Sequence, residues 1–211
     1  MYPRGLTIDA PPASDLFTAD PIAALGSLEA LAQLIDACRK CSLGHSRTHS
    51  VPGEGNPSAQ LVCVGEAPGA TEDETGRPFV GRAGKLLDDI LKAIGLQREE
   101  VFICNVLKCR PPGNRDPEPM ERQACSPFLH RQLDLIRPRV LIAWGKPAAI
   151  TLLNAPGTTS LTELRGKVHR YRGIPLVVTY HPAALLRNPH WKAPTWDDVR
   201  IARRILDGEP C

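Results

Sequence analysis

Four short runs in this chain are almost wholly apolar: residues 60–64 (QLVCV), 101–106 (VFICNV), 140–144 (VLIAW) and 174–180 (IPLVVTY). Such runs suit strands buried on both faces, as in a parallel sheet covered by helices. Between them the period changes. Ala83, Leu86, Leu87, Ile90, Leu91 and Ile94 recur at helical spacing, Asp88, Asp89 and Lys92 fall on the other face, and Gly95 is placed to end the helix. Further helices are expected at about 22–38, 117–136, 146–154 and 195–207. Thr195 would cap the last, with Asp197 and Asp198 in its first turn. Pro127 lacks the N–H that a helix interior needs and should break or kink the 117–136 helix near Cys125.

One helix followed by four strand–helix repeats predicts an α/β fold, a three-layer α/β/α sandwich with a central four-stranded parallel sheet. Ligands of such sheets bind beyond the carboxyl ends of the strands. Three segments emerge there: the loop after the first strand, Asn105–Arg115 after the second, and Tyr180–Trp191 after the fourth.

A length of 211 residues allows one sizeable core, expected over residues 20–211, and residues 1–19, rich in proline and small side chains, read as a flexible N-terminal arm. The formal net charge of +3 is compatible with nucleic acid without arguing for it. No segment has the apolar length of a secretory signal or a membrane span, so a cytoplasmic protein is expected.

Seven cysteines in a chain expected to stay in the cytoplasm argue for ligation or burial rather than disulfides. Cys38 and Cys41 form a C-x2-C in a polar setting, and Cys109 and Cys125 make a wider pair. Four thiolates hold either zinc or an iron–sulfur cluster, and spacing alone leans to zinc. Cys63 and Cys104 lie mid-strand among apolar neighbours and read as core residues, and Cys211 as a free thiol.

The loop after the first strand, GEAPGATEDETGRPFVGRAG (residues 65–84), is glycine-rich but carries Glu66, Glu72, Asp73 and Glu74. A phosphate-cradling loop avoids such carboxylates, and GEAPGA lacks the dinucleotide-binding glycine pattern. Together with NVLKCRPPGNRDPEPME and ELRGKVHRYRGIPLVVTYHPAALLRNP, this loop resembles family 4, the iron–sulfur branch of the uracil-DNA glycosylase superfamily, over about residues 30–207.

The resemblance implies that Cys38, Cys41, Cys109 and Cys125 hold a 4Fe–4S cluster, replacing the zinc that spacing favoured. It implies a DNA-repair glycosylase that flips uracil out of DNA, hydrolyses its N-glycosidic bond and leaves an abasic site. No covalent-trapping histidine follows the second strand, so turnover is expected. The partner would be uracil-containing DNA, single- or double-stranded, met by a monomer at the nucleoid of a bacterial- or archaeal-type cell, with replication or repair proteins as possible associates. The rival reading is a catalytically silent iron–sulfur module that binds DNA.

On the glycosylase reading, Phe79 stacks on the extruded base and Ala67 lines its site. Asn105 donates to uracil O4 and accepts from N3–H, a pattern cytosine reverses. His181 donates to O2, where charge builds as the N1–C1′ bond breaks. Glu66 and Glu72 stabilise positive charge at C1′ or orient water, and Glu72 crowds C5 to exclude thymine. Asp73 and Glu74 are expected to pair with Arg77 or Arg82. Leu185, Leu186 and Arg187 form a wedge with an adjacent cation. Arg110, Arg115, Lys108 and Lys192 are candidate phosphate contacts.

Overall fold

The computed structural model describes residues 2–9 and 21–209. The expected strands appear as β3 (Leu61–Gly65), β4 (Phe102–Asn105), β5 (Val140–Trp144) and β7 (Ile174–Thr179), and run parallel in the order β7-β5-β3-β4. Every residue of β3, β4 and β5 is buried, as their unbroken apolar sequences require.

The sheet is wider than the four strands expected, with seven among the described residues. Two-residue β2 (Glu54–Gly55) pairs antiparallel with β4, β6 (Val168–Tyr171) antiparallel with β7, and β1 (Arg4–Ile8) parallel with β6. Thus residues 4–8, expected within a flexible arm, form an edge strand; residues 10–20 lie outside the described set, as does Cys211. The β6–β7 hairpin turns through Arg172 and Gly173, both at positive φ (50° and 81°). That is the two-residue turn that matches strand twist, with arginine where asparagine would have signalled it.

Side-chain alternation divides the helices between the two faces. Val62 and Val64 of β3 pack with α5 (Pro119–Ile136) and α6 (Lys146–Leu153). Leu61 and Cys63 pack with α4 (Arg82–Ala93) and α9 (Lys192–Leu206). The three-layer α/β/α architecture follows. The first helix, α1 (Leu28–Ala37), builds a third, smaller cluster with Leu43, Leu107, Phe128 and the cysteine segments. Short helices α2 (Leu43–Ser46), α3 (Ala70–Thr75), α7 (Leu161–Leu164) and α8 (Pro182–Arg187) sit in the connections.

Two local expectations change. The α5 helix runs through Pro127 as one element instead of breaking near Cys125. Thr195 lies inside α9 rather than capping it, and its hydroxyl donates back to the Trp191 carbonyl at 2.8 Å.

Candidate active site

The carboxyl ends of β3, β4, β5 and β7 open into a cleft of about 500 Å³ lined by Glu66, Ala67, Glu72, Phe79, Asn105 and His181, among others. All three segments expected beyond the strand ends contribute to it. Backbone bonds staple two of them together: Val106 N–H donates to the Gly65 carbonyl and Leu107 N–H to that of Glu66, both at 2.9 Å.

Gly65, the last residue of β3, lets Asn105 and Phe79 close together because nothing larger fits there. A Cβ there would lie 2.3 Å from Asn105 Oδ1 and 2.6 Å from Phe79 Cζ. Phe79 is buried and adopts φ 51°, a left-handed conformation that bulky residues avoid unless their surroundings impose it. Arg98 supplies that constraint: its guanidinium donates to the carbonyls of Pro78 and Phe79 and pairs with Glu54 at 2.7 Å and Asp88 at 3.0 Å. Gly84 lets α4 close on the same loop, since a Cβ there would collide with the Phe79 carbonyl. The Phe79 ring stands 5.4 Å from that of His181, at 29°.

Asn105 is 2% exposed and lines the cleft. Its register opposite Gly65, the last residue of β3, fixes its depth. Its carboxamide makes no hydrogen bond among the described residues and is free to meet a ligand.

His181 is the N-cap of α8, where its Nδ1 accepts from Ala183 N–H at 3.1 Å. An accepting Nδ1 leaves the neutral ring's proton on Nε2. Burial, then the positive charge of Arg187, push its pKa down to about 4, with Glu72 opposing. The ring is therefore a neutral donor at physiological pH. The strand leading to it is held from behind: Thr179 Oγ1 donates to Asp198 at 2.7 Å, and Arg165 pairs with the same carboxylate at 2.6 Å. Tyr180 lies against Trp191 (4.7 Å, 8°) and beneath Arg165 (4.4 Å).

The two candidate carboxylates differ. Burial, reinforced by Asp116 and opposed by Arg122, pushes the pKa of Glu66 up to about 7. Glu72 uses Oε1 to accept from Val80 N–H and Gly81 N–H, both at 3.0 Å, and so pins the loop entering α4. Glu72 is therefore committed to the loop that forms the wall, whereas burial favours the neutral form of Glu66.

Cys38, Cys41, Cys109 and Cys125 line one separate small cavity. Arg47 donates to Cys109 Sγ at 2.9 Å and also to the carbonyls of Ile35, Asp36 and Cys38. Lys108 N–H donates to Cys125 Sγ at 3.3 Å. Burial pushes the Cys125 thiol up to about 12, against the pull of Lys108. Among the described residues no three His, Cys, Asp or Glu are gathered as a single metal ion requires.

Residues 52–200 match the Uracil DNA glycosylase superfamily. The chain is 46% identical over 188 residues to a type-4 uracil-DNA glycosylase of Sulfurisphaera tokodaii, covering 86% of each chain. It is 47% identical to that of Archaeoglobus fulgidus, over 77% of this chain and 85% of the relative, and 43% identical to that of Saccharolobus solfataricus, over 88% and 89%. The chain belongs to the type-4 uracil-DNA glycosylase family.

For a member of this family, several residues expected to touch DNA stand elsewhere. Lys108 is 1% exposed and faces inward, so it contacts no phosphate. Leu185 is 1% exposed and belongs to the core, whereas Leu186 is 41% exposed and Arg187 lines the cleft. Arg115 also lines the cleft but is bound bidentately to Glu121, at 2.9 and 2.6 Å, and Arg110 donates to Asn114 at 2.8 Å. Lys192 is exposed. Arg77 pairs with Glu54 rather than with Asp73 or Glu74, and the buried Asp73 instead accepts from Thr48 N–H. Arg98, Asp198 and Lys108, which bond the segments carrying Phe79, His181 and Asn105, carried no local sequence signal for these contacts: each acts on a partner that only the fold brings near.

Proposed function

We propose that this chain excises uracil from DNA by hydrolysis, leaving an abasic site. The observation that carries the reading is the convergence of a stacking ring, an unpaired carboxamide and a neutral imidazole donor on one cleft beyond the sheet.

An extruded uracil would lie against Phe79, with Asn105 donating to O4 and accepting from N3–H. Cytosine leaves those groups unpaired, at about 1–3 kcal/mol each. As the N1–C1′ bond breaks, its electron pair passes to the base and the Nε2–H of His181 stabilises the charge growing on O2. Water adds to the oxocarbenium carbon while Glu66, in its ionised form, takes the water's proton. Glu72 keeps the wall narrow beside C5. At the cleft wall, Arg187 and Arg115, together with Arg110, would meet the phosphate backbone and Leu186 the space left in the stack. A cleft completed within one chain supports a monomer, and chromosomal DNA as substrate puts its work at the nucleoid, in the cytoplasm.

The four cysteines fit a 4Fe–4S cluster: all line one cavity, and two receive N–H donors suited to thiolates. Burial raises the Cys109 and Cys125 thiols, and a metal taking the proton's place would ionise them. When bound, the cluster would supply a structural cross-link between the α1 end and α5.

The test is base release from an oligonucleotide bearing one deoxyuridine, read as alkali-labile strand cleavage. Wild-type protein is expected to cleave it, and His181→Ala to be about 10²–10³-fold slower. Tight binding of the oligonucleotide without base release would instead favour a silent DNA-binding module.

A further inference from the structure

Lys108 is the buried charge that the reaction scheme leaves unused. Its Nζ donates to the backbone carbonyl of Asn105 at 2.7 Å and to Gln132 Oε1 at 2.6 Å. Gln132 is itself 2% exposed and donates to the Pro52 carbonyl at 2.6 Å. No carboxylate pairs with Nζ among the described residues. A buried ammonium with no counter-charge is strongly unfavourable. The same residue lines the four-cysteine cavity, and its backbone N–H reaches Cys125 Sγ. Four thiolates around a 4Fe–4S cluster carry net negative charge, which is the counter-charge this lysine lacks.

We propose that Lys108 is a positioning residue that couples the cysteine-held cluster to the base-reading Asn105. One end of the residue belongs to the cluster's surroundings and the other clasps the strand end from which the carboxamide projects. With Nζ in place, the Asn105 backbone is held where its amide faces the cleft; without it, that backbone has lost its clasp four residues from the cluster ligand Cys109. The proposal rests on the glycosylase reading above.

The experiment compares wild type, Lys108→Met and Gln132→Met as full-length holoproteins, with iron and sulfide per chain confirming cluster content. Lys108→Met is expected to keep its affinity for uracil-free DNA within about twofold while kcat for uracil release and affinity for free uracil both fall about tenfold or more. Its cluster reduction potential is expected to move to a more negative value, because a nearby positive charge is gone. Gln132→Met, which retains the ammonium, is expected to weaken free-uracil binding less and leave the potential in place. Wild-type uracil affinity and an unmoved potential in Lys108→Met would overturn the proposal. If Lys108→Met fails to assemble, Gln132→Met decides: unchanged uracil affinity there would also overturn it. A wild-type protein that releases no uracil from DNA defeats the glycosylase reading instead, and the free-uracil and potential measurements then judge the lysine separately.

Discussion

His181 and Glu66 sit in one cleft with pKa values displaced in opposite directions, His181 to about 4 and Glu66 to about 7, both chiefly by burial. Each displacement favours the uncharged form, and the two have different consequences for rate. The imidazole is already neutral throughout the physiological range, so it imposes no pH limb there. In the proposed mechanism Glu66 must be ionised to take a proton from water, so kcat/KM is expected to rise with pH through about 7 and level off above it. In Glu66→Gln that limb should vanish and the rate should fall about 10²-fold or more. A profile that keeps its limb in the variant would remove Glu66 from water activation. The stability signature of His181 has its own sign: between about 4 and its ordinary 6.5 the unfolded chain binds the proton that the folded chain refuses. Its contribution to stability is therefore full above that window and is lost as pH falls through it. That Phe79, Asn105 and His181 would gather at one cleft was legible in the sequence because each stands in a long motif in a segment that follows a strand. Lys108 and Leu185 were not. A lysine in KCRPPGNR looks like a solvent cation, and which of two adjacent leucines faces inward depends on the phase of a six-residue helix.

The loop from α3 into α4 is the element on which the stacking surface depends. It holds Phe79 in a left-handed conformation, closes on Gly84 without room for a methyl group, and is pinned by Glu72 from within and Arg98 from outside. Arg98 lies just before β4, nineteen residues along the chain from Phe79, and its guanidinium is mostly buried between two carboxylates and two carbonyls. Arg98→Met is expected to cost about 2–3 kcal/mol, the scale of losing charged hydrogen bonds and leaving their partners behind. Urea unfolding measures it; a midpoint equal to wild type would show that the loop holds Phe79 unaided. Among the strands, those buried on both faces were legible because their sequences are unbroken apolar runs. The three added beyond them were not: β2 has only two residues, β1 is largely exposed, and β6, between β1 and β7, turns into β7 through an arginine. The edge strands β1 and β2 need little hydrophobicity, so little of them is written in the pattern.

At the scale of the molecule, three layers serve one edge. Helices α5 and α6 on one face and α4 and α9 on the other bury the central strands, leaving their carboxyl ends to open together. The α1 cluster and the cysteine cavity then brace the segment that follows Asn105 from the far side. The architecture was legible because parallel strands alternate with helices and ligands gather where those strands end. The widths of the sheet and the internal supports were not, since they depend on contacts between segments remote in sequence. The central claim is that this edge encloses an extruded uracil, and the crystal structure of the protein soaked with free uracil tests it most directly. The base is expected against the Phe79 ring, with O4 and N3 on the Asn105 carboxamide and O2 toward His181 Nε2. Uracil bound elsewhere, or in the cleft with its edge turned away from Asn105, would contradict the account.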